Sequence, residues 1–170
     1  MKNIVLIGMP GAGKSTIGVL LAKSLLYSFT DTDLIIQSRY NSSLCEIIEN
    51  EGTNEFLEKE NQVISECEFH NSVIATGGSA VYGAKAMKKL KENGIIIYLQ
   101  LPVDELKKRL GDIQTRGVAM PKGSGLDELY EERKPLYEKY ADMTIECYGL
   151  SAEQCVDEIV NKLKSVNFDL

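Results

Sequence analysis

The chain opens with a glycine-rich segment whose residue types and spacing suit the binding of phosphate. Residues 8–15 read GMPGAGKS and match the pattern G-x-x-x-x-G-K-[ST]. In such a segment the backbone N–H groups converge on a phosphate, Lys14 reaches the outer phosphates, and the Ser15 hydroxyl can ligate Mg²⁺. An apolar run precedes the segment and an amphipathic stretch follows it, so a strand and a helix are predicted to hold it. The groups predicted to bind a nucleoside triphosphate belong to Gly11, Ala12, Gly13, Lys14, Ser15 and Thr16.

The rest of the sequence narrows the class of nucleotide-binding protein. No D-x-x-G motif follows the second or third predicted strand, and the Asn161-Lys162 pair falls within a predicted terminal helix, not at a strand end where guanine is read. Both observations disfavour a switch GTPase. A length of 170 residues also leaves little room for the machinery of a motor ATPase. The class that remains is a small kinase.

Short apolar runs alternate with longer stretches of helical periodicity along the chain. The runs cover residues 3–7, 72–75, 95–99 and 143–145. This alternation predicts a parallel sheet with helices on both faces. We therefore predict a single α/β domain over residues 1–170. Residues 111–125 contain several glycines and little apolar periodicity, which predicts a loop.

Composition and charge restrict the partners and the compartment. With 19 basic and 25 acidic residues the net charge is −6, so nucleic acid is not an expected partner. No apolar run approaches the roughly 20 residues of a membrane span, and we expect no membrane association. The four cysteines contain no C-x-x-C pair. The lack of such a pair favours a reducing, cytoplasmic setting. We also expect the protein to be a monomer.

Several further segments, in the same order along the chain, resemble the shikimate kinases, a family of P-loop proteins related to nucleoside monophosphate kinases. These segments are Asp31-Thr32-Asp33, Gly52-Thr53-Asn54-Glu55-Phe56, Ala75-Thr76-Gly77-Gly78, Arg109, Arg116 and Arg133-Lys134-Pro135-Leu136-Tyr137. The resemblance implies a P-loop three-layer α/β/α fold whose five-stranded parallel sheet has the order 2-3-1-4-5. It also implies an acceptor-binding insert over about residues 33–71, a lid over about residues 111–125, and ATP-dependent phosphorylation of shikimate in aromatic amino acid biosynthesis.

The resemblance assigns the acidic pair and the glycine pair to the reacting centre. It implies that Asp33 contacts the acceptor hydroxyl as base or orienting group, and that Asp31 helps to hold Mg²⁺ through water, near Ser15. Two residues apart on an extended segment, the aspartates would point the same way. Either aspartate could instead cap the following helix. Gly77 and Gly78 would let the backbone approach the acceptor closely, or form a tight turn.

The resemblance also gives roles to basic residues. Arg116, carried by the lid, would join Lys14 in neutralising charge on the transferring phosphate. Arg109 would lie near the adenine, and Arg133 would bind a carboxylate of the acceptor. Simpler interpretations are that Arg116 is a solvated loop residue and that Arg109 is a surface charge.

The acceptor side departs from the family pattern. The arginine that follows the phenylalanine matching Phe56 is replaced by Leu57, which has no donor for a carboxylate. We expect Leu57 to line the acceptor site in place of that arginine. Ser79 replaces a third glycine, and Arg116 is followed by Gly117 where the family has proline. The donor side shows no comparable change.

Two hypotheses about the identity of the acceptor therefore remain. The chain is either a divergent shikimate kinase in which Arg39 replaces the missing arginine, or a kinase of another small hydroxy compound such as homoserine or a polyol. A non-catalytic nucleotide-binding regulator is a further alternative, which the presence of both Asp33 and Arg116 disfavours. A nucleoside monophosphate kinase needs several basic groups around a second phosphate. Because residues 33–71 contain only Arg39 and Lys59 as basic groups, this class is disfavoured.

Overall fold

A parallel sheet forms the centre of the structure, a computed structural model that describes residues 2–110, 118–119 and 123–168. Within these residues, five parallel strands follow the order β2-β3-β1-β4-β5. The strands are β1 (Asn3–Ile7), β2 (Ser28–Asp31), β3 (Ser72–Ala75), β4 (Gly94–Gln100) and β5 (Met143–Glu146). The α/β fold and the strand order predicted from the sequence are confirmed.

Helices connect the strands and pack on the sheet. The helices of the described ranges are α1 (Lys14–Leu25), α2 (Thr32–Tyr40), α3 (Leu44–Glu51), α4 (Thr53–Glu66), α5 (Ala84–Glu92), α6 (Val103–Leu110), α7 (Leu126–Tyr140) and α8 (Ala152–Ser165). Helix α1 packs against α8, whereas α4 packs against α5, and both α4 and α7 contact a short 3₁₀ turn at Ala80–Tyr82. Because helices cover both of its faces, every residue of β1 and β3 is buried.

Three helices, α2, α3 and α4, lie between β2 and β3, where the acceptor-binding insert is predicted. They enclose a small apolar cluster separate from the main core, formed by Ile36, Ile47, Phe56, Val63 and Ala119. Helix α3 begins with a capping box in which Ser43 and Glu46 bond each other's backbone N–H groups. The insert is thus held by local caps and by its own buried side chains.

The helices of the described ranges are each too short or too polar to traverse a lipid bilayer.

Candidate active site

The turn from β1 into α1 has the backbone conformation of a phosphate-binding loop. Gly8, Gly11 and Gly13 have φ values of 146°, 80° and 93°, which residues with a side chain rarely adopt. A Cβ at Gly11 would also lie within 3 Å of Leu110. Gly13 precedes α1 and forms no side-chain cap, so the first N–H groups of this helix remain for an anionic ligand.

Lys14 is held beside this loop by backbone carbonyl groups. Its Nζ donates to the carbonyl oxygens of Gly8 at 2.8 Å and Met9 at 2.9 Å, and the residue is only 8% exposed. Burial lowers the pKa of Lys14 to about 8, an effect that the negative charge of Asp33 opposes. The ammonium group is therefore fixed in place before any nucleotide binds.

Ser15 and Asp31 place two oxygen donors side by side next to the loop. The Ser15 hydroxyl donates to Oδ2 of Asp31 at 2.7 Å. The other carboxylate oxygen of Asp31 accepts the backbone N–H of Asp33 at 3.0 Å, so Asp31 caps α2. A hydroxyl and a carboxylate are the hard oxygen ligands that suit Mg²⁺, which keeps several waters and also binds substrate phosphates. The residues present therefore fit a magnesium ion.

The expectation of an extended segment through both aspartates is wrong. Strand β2 ends at Asp31, and Asp33 lies in the first turn of α2. The chain bends here because Asp31 caps the N-terminus of α2. Helix capping by one of the two aspartates was the alternative that the sequence left open. Despite the bend, Asp31 contacts Ser15 and Asp33 lines the cavity beside the loop.

Asp33 is a half-buried residue whose carboxyl group lacks a complete set of hydrogen bonds. Its Oδ1 is inaccessible and has no hydrogen-bond partner among the described residues. Burial and the neighbouring charge of Asp31 raise the pKa of Asp33 to about 6, while Lys14 opposes the rise. At neutral pH the carboxyl is thus mainly ionised and available to accept a hydrogen bond or a proton.

Glu60 is a fully buried residue that brings a second carboxyl group to this region. Unlike Asp33, it was not predicted as a site residue from the sequence. It is 1% exposed, its Oε2 accepts the Ser79 hydroxyl at 2.6 Å, and its Oε1 has no partner among the described residues. Burial raises the pKa of Glu60 to about 7, against the opposing effect of the Ser79 hydrogen bond. The available signal was its position on α4, four residues after Phe56, within the apolar face that continues at Val63 and Ile64.

Gly77 lies beside both carboxyl groups. A Cβ at this position would lie within 3 Å of both Oδ1 of Asp33 and Oε1 of Glu60. These two oxygens, both without partners, therefore approach the same point beside the backbone. The absence of a side chain at Gly77 therefore leaves room for two carboxyl groups, and its predicted approach to the acceptor stays a prediction.

Arg133, on α7, lies beside Gly78, the residue that follows Gly77. It is 1% exposed, its Nη2 donates to the carbonyl oxygen of Ala119, and its Nε donates to the Tyr82 hydroxyl at 3.3 Å. A Cβ at Gly78 would come within 3 Å of the guanidinium. Tyr137, to which the sequence analysis gave no role, donates its hydroxyl to the carbonyl oxygen of Gly78 at 2.6 Å and so fixes this turn.

One cavity of about 390 Å³ connects these groups. The residues from the predicted site that line it are Gly11, Gly13, Lys14, Ser15, Thr16, Asp33, Gly77, Gly78, Arg109 and Arg133. A second cavity of about 160 Å³ adjoins the loop and is lined by Ala12, Gly13, Thr16, Arg109, Cys147, Leu150 and others. Arg109 lines both cavities, and its Nε donates to Glu105 at 3.3 Å.

Two acceptor-side expectations differ from the structure. Leu57 packs against the apolar cluster of the insert and is not among the described residues that line the larger cavity, because this half-buried side chain is directed into the packing of α2 to α4. Arg39 does not take the place of the missing arginine, since its Nη2 pairs with Glu66 at 2.5 Å on the exposed side of the insert. Arg116 and most of the predicted lid lie outside the described residues.

The glycine-rich loop between the central strand and α1, with a lysine and an acidic residue facing one cavity, defines the fold and site of a P-loop phosphotransferase. The Shikimate kinase family model matches residues 10–164. The chain belongs to the shikimate kinase family.

Two curated relatives match nearly the whole of this chain. The chain is 36% identical to Shikimate kinase 1 of Yersinia enterocolitica over 168 residues, which cover 96% of this chain and 97% of that protein. It is 35% identical to human Threonine synthase-like 1 over 166 residues, covering 96% of this chain but only 22% of that much longer protein.

Solved structures show the same likeness. The shikimate kinase of Acinetobacter baumannii in complex with shikimate superposes with a TM-score of 0.88 at 31% identity, over 99% of this chain and 96% of that one. The shikimate kinase of Aquifex aeolicus has a TM-score of 0.81 at 32% identity, over 97% of this chain and 98% of that one.

Proposed function

We propose that this protein transfers the γ-phosphoryl group of ATP to a hydroxyl group of shikimate. The observation that carries the proposal is the single cavity in which the phosphate-binding loop, the Asp33 carboxyl and the buried Arg133 guanidinium meet. Phosphoryl transfer depends on positioning and charge neutralisation more than on covalent participation of the protein. A cavity that joins these three groups supplies both requirements.

The donor side holds ATP by its phosphates and its base. The backbone N–H groups of residues 11–16 and the Lys14 ammonium bind the phosphates. The smaller cavity continues from the loop past Thr16 to the apolar wall at Leu150, and it accommodates the adenine. Arg109, which lines both cavities, lies between the base and the phosphates and stacks near the adenine.

Ser15 and Asp31 are the residues that would hold Mg²⁺, Ser15 directly and Asp31 through water. The ion, when bound with ATP, supplies positive charge that neutralises the phosphate oxygens. The hydrogen bond from the Ser15 hydroxyl to the Asp31 carboxylate keeps both oxygens in place.

The acceptor side orients the hydroxyl group and takes its proton. Asp33 accepts a hydrogen bond from the hydroxyl, whose oxygen forms a bond to the γ-phosphorus as the bond to the bridging oxygen of ADP breaks. The hydroxyl proton passes to the Asp33 carboxylate, and ADP leaves with the displaced electron pair. Arg133 binds the carboxylate of the acceptor, while Gly77 and Gly78 allow its ring to approach the backbone. Arg116 supplies further positive charge from the predicted lid.

The setting of this reaction is also a proposal. We propose a monomeric enzyme of aromatic amino acid biosynthesis that acts in the cytoplasm. Cysteine usage without a C-x-x-C pair fits a reducing compartment.

Release of ADP from Mg²⁺-ATP in the presence of shikimate tests the proposal. The wild-type protein is expected to release ADP only when shikimate is present. Asp33→Asn keeps the shape of the side chain but not its charge, and is expected to reduce kcat about 10²- to 10⁴-fold. Asp157→Asn, an exposed change on α8, is the matched control and should have wild-type activity. Equal rates with and without shikimate would contradict the proposal.

A second candidate acceptor is another small hydroxylated compound such as homoserine or a polyol. It is favoured by the position of Leu57 against the insert and by the pairing of Arg39 with Glu66, which leave Arg133 as the acceptor-side arginine of the described cavity. Homoserine and simple polyols should be assayed beside shikimate, with wild-type protein and with Leu57→Arg. Higher shikimate turnover in the variant supports a shikimate site lacking one arginine, whereas unchanged turnover supports the other acceptors.

A further inference from the structure

Ser79 lies on the wall of the acceptor cavity, where the chain leaves β3. The residue is 5% exposed and lines the cavity next to Gly78. Its hydroxyl donates to Oε2 of Glu60 at 2.6 Å. Neither residue has a part in the proton transfer or phosphate binding described above.

The hydrogen bond to Glu60 decides what Ser79 can offer to a ligand. A serine hydroxyl has one proton to donate and two lone pairs that accept. Because Oε2 of the buried Glu60 carboxyl accepts the hydroxyl proton of Ser79 in a hydrogen bond, the Ser79 oxygen can make a further hydrogen bond only as an acceptor. A ligand group that meets Ser79 must therefore be a hydrogen-bond donor.

We propose that Ser79 is a specificity-determining residue that accepts a hydrogen bond from a hydroxyl of the acceptor other than the one that is phosphorylated, with Glu60 as the residue that positions it. The inference rests on the proposed function and specifies which group of the acceptor contacts Ser79. A carboxylate facing the Ser79 hydroxyl would place lone pairs against lone pairs, beside the Glu60 carboxyl. The carboxylate of the acceptor therefore faces Arg133, and a hydroxyl faces Ser79.

Ser79→Ala removes this acceptor and little else. Loss of one neutral hydrogen bond is expected to raise the dissociation constant of shikimate about five- to tenfold in calorimetry, with no change for ATP. Ser65→Ala is the matched control, since the Ser65 hydroxyl bonds the carbonyl oxygen of Gln62 within its own helix. Equal affinity of Ser79→Ala and wild-type protein for shikimate would overturn the proposal.

Deoxy analogues of shikimate distinguish a direct contact from a structural effect. For the analogue that lacks the hydroxyl read by Ser79, wild-type protein and Ser79→Ala should bind equally, while the other analogues retain the five- to tenfold difference. A difference that persists with every analogue shows that Ser79 acts on the structure alone, and overturns the proposal.

The positioning role of Glu60 has its own pair of variants. Glu60→Gln retains an oxygen that accepts the Ser79 hydroxyl and should bind shikimate with nearly wild-type affinity. Glu60→Leu removes that oxygen and should weaken shikimate binding as Ser79→Ala does, without affecting ATP. Wild-type affinity in folded Glu60→Leu would contradict the positioning role.

Binding and turnover separate this inference from the proposed function. Shikimate that binds to wild-type protein but is not phosphorylated contradicts the proposed function alone. Shikimate that is phosphorylated equally well by wild-type protein and Ser79→Ala, with equal affinity, contradicts the role of Ser79 alone. Failure of shikimate to bind the wild-type protein contradicts both.

Discussion

The donor and acceptor sides of the cavity are built in different ways. The donor side is one continuous segment, residues 8–16, in which glycine backbone and a single buried lysine are proposed to hold phosphate. The acceptor side is assembled from side chains of three helices and one turn, with Asp33 on α2, Glu60 on α4, Ser79 after β3 and Arg133 on α7. A contiguous segment is specified by a short motif, whereas an assembled wall can be changed one residue at a time.

The departures from the family pattern follow this division. Ser79 lies in the assembled side, Leu57 lies in the insert that carries Asp33 and Glu60, and the loop itself has every expected residue. Changes of this kind alter which acceptor fits without altering how ATP is held. If the two sides are separable, a change on one side should leave binding of the other side's ligand unaffected.

Removing the lysine of the loop should abolish turnover. Lys14→Ala deletes the fixed ammonium group beside the phosphates, and a loss of kcat of about 10³-fold is expected because electrostatic stabilisation of this kind acts in the transition state. Steady-state ADP release measures the change, with the exposed Lys23→Ala on the same helix as control. Retention of more than a tenth of wild-type kcat would contradict the role of Lys14.

The buried carboxyl of Glu60 should make stability depend on pH. The pKa of Glu60 is about 7 in the folded protein, above its ordinary value of 4.5, so the folded state keeps a proton that the unfolded state has released. Stability from this group is therefore present at pH values below 4.5 and is lost as the pH rises to about 7.

Glu60→Gln cannot ionise and should not share that loss. Its unfolding free energy relative to wild type should increase by on the order of 3 kcal/mol between pH 4.5 and pH 8, measured by urea denaturation. The curves of the two proteins should instead run parallel if Glu60 titrates normally.

A methyl group at Gly77 should damage the acceptor side selectively. It would meet both the Asp33 and the Glu60 oxygens, so Gly77→Ala is expected to cost about 2 kcal/mol of stability and to weaken shikimate binding more than ATP binding. Gly125→Ala, where nothing lies within 4 Å, is the control. Equal losses for both ligands would show that the two sides are coupled.

The smallest effect is expected at the adenine. Arg109→Ala should raise the KM for ATP about tenfold, because one stacked cation is worth 1 to 2 kcal/mol, and should leave the KM for shikimate unchanged. The neighbouring exposed Lys108→Ala serves as control. An increase confined to the KM for shikimate would contradict this role, because it would place Arg109 on the acceptor side of the cavity.

Local patterns account for the parts of the fold that the sequence predicted. The apolar runs at residues 3–7 and 72–75 coincide with β1 and β3, because strands covered on both faces need continuous apolar residues. The phosphate-binding loop was equally visible, since its glycines and its lysine are adjacent in sequence. Both depend on contacts within a few residues.

The acceptor side was predicted less completely for a physical reason. Glu60 joins the site only because α4 packs beside the turn after β3, and the sequence shows merely a glutamate within an apolar helical face. Arg39 is a basic residue of the insert, but its pairing with Glu66 depends on how α2 packs against α4, which the sequence does not show. The bend between Asp31 and Asp33 likewise follows from a helix cap, which residue alternation alone does not reveal.

Phosphorus NMR of the reaction products tests the central claim most directly. Protein incubated with Mg²⁺-ATP and shikimate should produce ADP and a phosphate ester of shikimate in equal amounts, and Lys14→Ala should produce neither. Formation of ADP with inorganic phosphate alone, or of an ester with homoserine or a polyol while shikimate stays unmodified, would contradict the assignment of shikimate as the acceptor.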